Sequence, residues 1–253
     1  MKKSRIIIPA LVTAFVAVNT AAAYSRYETK KLDNMKFSFP EGFTVTAHTG
    51  TMGTEENTIE SMRVGSENAD IIEFDVLSGS DGVPKLAHTE ITAQSPTLAE
   101  AFEFLSEHKS IKANVDMKKA ENLAEVQRLA KEYGVLEQIF FTGIRENDVP
   151  AVRKDSPEIG YFLNFDVNKR KNKDDAYLQS LADKVKGLGA IGLNIHFGGA
   201  SKELVEKFHE NGLLVSLWTA NTEKEILKVL SLSPDNITSR NPDKVNMIIE
   251  GHK

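Results

Sequence analysis

Ala69-Asp70-Ile71-Ile72-Glu73-Phe74-Asp75-Val76, continuing through Leu77-Ser78-Gly79-Ser80-Asp81-Gly82-Val83-Pro84-Lys85-Leu86-Ala87-His88, is the stretch on which the reading of this chain turns. The apolar run Asp70–Val76 has the length and β-branched content of a strand. It carries two acids, Glu73 and Asp75, two positions apart, so both side chains leave the strand on the same face. A second apolar run, Pro84–His88, follows after only Gly79-Ser80-Asp81-Gly82. That is too short for a parallel crossover, so the second run must fold back as an antiparallel hairpin. With Ser80-Asp81 as the loop, His88 falls opposite Glu73; with Asp81-Gly82, it falls opposite Asp75. Both registers put His88 on the carboxylate face, and only a one-residue slip reverses it.

On either side of this stretch, short apolar runs alternate with helical ones. The strand-like runs are Val45–His48, Asp70–Val76, Ile111–Met117, Gln138–Thr142, Ile159–Asn164, Ala190–Ile195, Leu213–Trp218 and Asn236–Ser239. Helices are expected over Thr58–Glu67, Thr97–Glu107, Ala120–Glu132, Asp148–Lys154, Asp174–Lys186, Ser201–Glu210 and Lys224–Leu230. Ser201 and Thr222 stand where helices should start, and Gly134 and Gly212 where they should stop. Strands alternating with helices imply a parallel sheet, and eight strands is the number of a (β/α)8 TIM barrel; the Pro84–His88 run adds a small β-hairpin after the second strand. The chain has 253 residues, an ordinary length for one such barrel.

The N-terminus has a different character. Lys2, Lys3 and Arg5 precede an apolar run from Ile6 to Val18, and Ala21-Ala22-Ala23 closes it. Residues 1–23 thus read as a signal peptide cleaved before Tyr24, and the protein as exported. The alternative is an uncleaved membrane anchor with the barrel outside, although the run falls short of the roughly 20 residues of a spanning helix. Residues 24–43 read as a polar, irregular lead-in, and the barrel as residues 44–253. A formal charge of −5 argues against nucleic acid or an anionic membrane as partner. With no cysteine, disulfides, thiolate metal sites and cysteine nucleophiles are excluded.

Functional residues of such barrels sit at the C-terminal ends of the strands. Read in order, those ends give His48, then Glu73 and Asp75, then Asp116 and Lys118. Carboxylates converging inside an otherwise apolar barrel repel one another unless paired or metal-bound. Three of them make an oxygen site for a hard divalent ion, Mg²⁺ or Ca²⁺. The plainer alternative is a salt-bridged layer with Lys118. The strand arithmetic brings two histidines, three acids and a lysine to one mouth.

The motifs resemble those of the glycerophosphodiester phosphodiesterase family. Thr46-Ala47-His48-Thr49-Gly50 is similar to its His-Arg-Gly opening, Glu56-Asn57-Thr58 to its Glu-Asn-Thr, and Glu73-Phe74-Asp75 to its Glu-x-Asp strand. Asp81-Gly82-Val83-Pro84 with His88 is similar to its Asp-Gly-x-Pro hairpin, Pro96-Thr97-Leu98-Ala99-Glu100 to its next helix start, and Asp116-Met117-Lys118 to its acidic-x-Lys strand. Val215–Asn221 and Ile237–Asp243 resemble the closing strands, so the series runs from about Thr44 to Val245. The resemblance implies that Glu73, Asp75 and Asp116 hold the metal and that His48 and His88 are the acid–base pair. It implies that Lys118 and Glu56 contact the substrate and that Trp218 walls it, although Trp218 reads equally well as core. It implies metal-dependent hydrolysis of a small glycerophosphodiester, with the substrate's own neighbouring hydroxyl as attacker.

Three departures stand out. Thr49 replaces the family's arginine, Thr89 replaces an aspartate, and the loop after His88 is reduced to Thr89–Gln94. Arg240 is the candidate to supply the missing guanidinium. Two other readings remain: a phospholipase D- or C-like enzyme on intact lipids, and a degenerate, non-catalytic barrel that binds phosphorylated ligands.

Overall fold

The computed structural model describes residues 36–252; the expected signal segment and the lead-in through residue 35 lie outside the described residues. Among the described residues there are nine strands: β1 (Thr44–Ala47), β2 (Ile71–Ser78), β3 (Pro84–Leu86), β4 (Lys112–Met117), β5 (Ile139–Ile144), β6 (Tyr161–Asn164), β7 (Gly192–His196), β8 (Leu214–Trp218) and β9 (Asn236–Ser239). Parallel pairing runs β1-β9-β8-β7-β6-β5-β4-β2, and β1 also pairs with β2, so eight strands close into the barrel that the alternation implies. β3 lies antiparallel on β2.

Among the described residues, eight α-helices surround the barrel: α1 (Ile59–Ser66), α2 (Leu98–Glu107), α3 (Leu123–Glu132), α4 (Val149–Asp155), α5 (Asp175–Gly187), α6 (Lys202–Glu210), α7 (Glu223–Leu230) and α8 (Pro242–Gly251). Their starts are encoded locally. Thr97 and Glu100 form a reciprocal capping box, as do Thr222 and Glu225, and Ser201 Oγ accepts the Leu204 amide at 3.1 Å. Gly134 and Gly212, just beyond α3 and α6, take the left-handed conformation (φ 64° and 70°) that ends a helix. The sequence reading expects no helix after the last strand; α8 is there, with proline at its first position. None of the described helices is long and apolar enough to cross a membrane.

Strand alternation sorts the core into two zones. Ile72, Phe74 and Val76 of β2 are all but inaccessible and face the helices. Glu73 and Asp75, between them, face the lumen. The lumen is not the apolar interior the sequence reading assumes. Thr142 donates to Asn114 Oδ1 at 2.7 Å, and Asn194 to Asn164 Oδ1 at 3.2 Å. Asn236 Nδ2 donates to Thr46 Oγ1 at 2.7 Å. These groups avoid the cost of buried unpaired polar atoms by bonding across strands. At the strands' N-terminal end the stretch before β1 is less polar in effect than its composition suggests. Phe39 and Phe43 stack with centroids 4.3 Å apart, and both pack on the core with Phe37.

Candidate active site

The three acids meet because of strand register. Asp75 on β2 stands directly beside Asp116 on β4, and Glu73 lies one lumen-facing position earlier. One carboxylate oxygen from each lies within 4.8 Å of the others. Each acid is oriented by a neighbour. The Thr49 amide donates to Glu73 Oε2 at 2.9 Å, and Thr142 Oγ1 to Asp116 Oδ1 at 3.1 Å. Asn57, buried with φ 58°, donates from Nδ2 to Asp75 Oδ2 at 2.9 Å and accepts the Asp75 amide at 2.8 Å. Gly143 makes room: a side chain there would start 2.5 Å from Asp116 Oδ1 and against the Met117 backbone, at φ 76°.

Charge at this cluster is out of balance. Lys118 Nζ lies 2.6 Å from Asp75 Oδ1 and bonds Asp116 Oδ2. Burial disfavours its charge, but Asp116 and Asp75 together outweigh that and hold the ammonium above the ordinary lysine range. Burial also disfavours ionised Asp75, and here Lys118 and Asn57 win, so this carboxyl sits below its usual range. For Glu73 the Thr49 amide and Lys118 compensate too little. Burial first, then the charges of Asp75 and Asp116, push its carboxyl well above the ordinary value. One ammonium serves three acids. That deficit, with ligand atoms at this spacing, is what a hard divalent cation fits, and Glu73, Asp75 and Asp116 could hold one.

Each histidine stands beside a different acid of the cluster. His48 follows β1; its Nδ1 is 3.0 Å from the Thr49 carbonyl and 3.9 Å from Glu73 Oε2. Bonding to a carbonyl makes Nδ1 the protonated nitrogen and leaves Nε2 as an acceptor. Burial lowers the His48 pKa, opposed by the Thr49 bond and reinforced by the nearby Arg240 charge. His88 Nδ1 is 3.6 Å from Asp75 Oδ2, with the side chain more than half exposed. The route to that position corrects the sequence reading. The hairpin pairs Val76 with Leu86 and Ser78 with Pro84, a register between the two expected and one that, extended, sets His88 opposite Phe74. His88 reaches the carboxylates because β3 stops at Leu86 and the chain bends, with the Ala87 amide bonding Asp75 O at 3.0 Å.

A cavity of about 330 Å³ opens here, lined by His48, Glu73, His88, Asp116, Lys118 and Trp218 among others. Glu56 is not in its lining. It pairs with Arg240, whose Nε also donates to the Thr49 carbonyl at 3.2 Å. Thr49 itself is buried, with its hydroxyl accepting the Asn57 amide at 2.5 Å. Arg240 therefore stands beside the site, braced against its rim, and does not line the cavity. The sequence reading missed Arg145, which follows β5 and does line it. Its place at a strand's C-terminal end was the available signal.

Residues 91–244 match the model of the glycerophosphoryl diester phosphodiesterase family. The chain belongs to this family. The matched part contains Asp116, Lys118, Arg145 and Trp218, whereas His48, Glu73, Asp75 and His88 precede it. A curated glycerophosphodiester phosphodiesterase from Bacillus altitudinis is 24% identical over 164 residues, covering 62% of this chain. The aligned part spans 64% of that relative's length. In the solved glycerophosphodiester phosphodiesterase of Parabacteroides distasonis the same fold recurs at 18% identity (TM-score 0.67, covering 83% of this chain and 97% of that one). A phosphodiesterase of Oleispira antarctica, solved in complex with its product sn-glycerol-3-phosphate, is 21% identical (TM-score 0.65, covering 81% and 96%). The family's barrel, with its additional strand on β2, is the fold of this chain.

Proposed function

We propose that this protein hydrolyses small glycerophosphodiesters to an alcohol and glycerol phosphate, with a divalent ion held by Glu73, Asp75 and Asp116. The observation that carries the reading is the juxtaposition of an under-neutralised carboxylate triad with two histidines that line the same cavity. Family membership and the product found in the Oleispira relative support the choice of substrate class. The ion, when bound, supplies positive charge to the phosphate's non-bridging oxygens.

The residues of this chain do the rest. His48, with Nε2 free to accept, takes the proton from the attacking hydroxyl. His88, beside Asp75, delivers a proton to the oxygen of the departing alcohol as its bond to phosphorus breaks, and water then opens the cyclic phosphate to give glycerol phosphate. Lys118 sits where its ammonium can contact a phosphate oxygen while remaining charged. Trp218 lines the same cavity. Export, read from the leader-like start, is part of the same proposal; it would place the enzyme among phospholipid-derived diesters outside the cytoplasm.

The test is incubation of the purified protein with glycerophosphocholine and glycerophosphoglycerol, with Mg²⁺, with Ca²⁺ and with EDTA. Turnover that EDTA and His48→Ala both abolish is the expected result. Tight divalent-ion binding without turnover of any diester would instead point to a non-catalytic barrel. The specific observation behind that second reading is Thr49: its hydroxyl is spent on the Asn57 amide, and Arg240, the nearest replacement cation, is tied to Glu56.

A further inference from the structure

A second cavity of about 300 Å³ adjoins the first at the barrel mouth, and the two share Arg145, Asn164, Asn194 and Trp218 as walls. One molecule can therefore span both. The far end of this second lobe is built by the loop after β6, which contributes Asp166 and Lys169, and by the end of β7, which contributes His196. Its charges are unequal. Arg145 Nη1 is 3.2 Å from Asp166 Oδ2, so the lobe's carboxylate is already answered by a guanidinium. Lys169 has no carboxylate within ion-pair distance among the described residues. His196 accepts the Gly198 amide on Nδ1 at 3.0 Å, which leaves Nε2 carrying the proton as a donor, and its ring stands edge-on to Trp218 at 5.6 Å.

We propose that this lobe is an anion-accepting subsite for the alcohol half of the diester, and that the preferred substrate releases an alcohol carrying a second phosphate. The inference rests on the diesterase reading above and deepens it. A cationic head group would enter a lobe holding two cations and one carboxylate, itself paired. An anionic one meets Lys169 and an imidazole N–H at the far end of the lobe, with the Arg145 guanidinium on the wall between the two cavities. At about 30 Å³ per water-sized group, the lobe holds roughly ten such groups, the size of a phosphorylated three-carbon alcohol. In the reaction the phosphorus–oxygen bond to that alcohol breaks, the oxygen takes a proton, water supplies the new hydroxyl on phosphorus, and the second phosphate is untouched.

The experiment compares kcat/KM for glycerophosphoglycerol, its terminal phosphomonoester and glycerophosphocholine, using the full protein with metal. The phosphomonoester is expected to be favoured over glycerophosphoglycerol by about tenfold, the scale of one or two charge-assisted hydrogen bonds, and the preference should shrink with added salt. In Lys169→Met the ratio of the two should fall by about the same factor. Equal rates for all three diesters would overturn the inference while leaving the diesterase reading intact. If no diester turns over, that reading fails, and the subsite is judged by calorimetry with glycerol 3-phosphate in EDTA. Binding weakened by Lys169→Met but not by Glu73→Gln supports it; no binding, or binding indifferent to Lys169, overturns it.

Discussion

Asn57 and Asp75 hold each other through two hydrogen bonds, one between side chains and one from the Asp75 backbone amide to Asn57 Oδ1, both under 3.0 Å. A residue on the loop after β1 thus fixes the rotamer of an acid on β2. Asn57→Ala leaves a buried amide without a partner and a carboxylate without its guide. A loss of about 1–3 kcal/mol in stability is expected, with metal affinity down by about 10–100-fold. Thermal melting and ion titration calorimetry read the two effects separately. Unchanged affinity would remove Asn57 from the site.

As the proposed base, His48 should set the acid limb of the reaction. Burial disfavours its imidazolium, so the neutral, proton-accepting form persists to lower pH than a solvated histidine allows. A divalent ion on the adjacent carboxylates acts in the same direction. The log of kcat/KM is expected to fall, as pH drops, through a midpoint below the ordinary value of 6.5. A midpoint at or above 6.5 contradicts the role.

Glu73 carries a stability cost when no metal is present. Its folded-state pKa is raised, so the fold retains this proton after the unfolded chain has released it. Stability from this group is therefore lost as pH rises from the ordinary glutamate value towards the raised one. In EDTA at neutral pH, Glu73→Gln should melt higher than the parent by about 2–4 °C, roughly 1 kcal/mol for a chain of this size, and the gap should close at low pH. With metal the order should reverse. Equal melting in EDTA at all pH values would refute the charge deficit.

Gly143 is the tightest steric point of the site. Gly143→Ala forces a side chain into positive φ and onto Asp116 and the Met117 backbone. Destabilisation above about 1 kcal/mol is expected from the backbone alone, together with weaker ion binding from the displaced Asp116. Chemical denaturation and calorimetry check both.

Much of this site was legible because its chemistry is written at strand ends. The alternation of β2 fixes which face Glu73 and Asp75 share, and the order of strands brings Asp116 beside them. His88 was placed by register arithmetic that proved to be off by one residue. The residue still arrives because the strand breaks after Leu86, a termination the hairpin rule cannot see. Asn57 was quoted only as part of a motif. Its role comes from a left-handed loop conformation, a three-dimensional property with no periodic signature. The polar lumen was missed for a similar reason: one Asn or Thr per strand looks incidental until closure stacks them. α8 went unread although Asn241-Pro242 announces a helix start.

The order in which the sheet closes divides responsibility along the chain. Residues 48–118, one unbroken stretch of polypeptide, furnish the three acids, both histidines and the lysine, whereas Arg145, Lys169, His196 and Trp218 come from the half that follows. On the proposed reading, inherited change in the later loops can redirect the choice of departing alcohol while leaving the three acids in place, provided Thr142 and Gly143 are kept. Grafting those loops from a relative onto this N-terminal half is accordingly the natural way to retarget the enzyme.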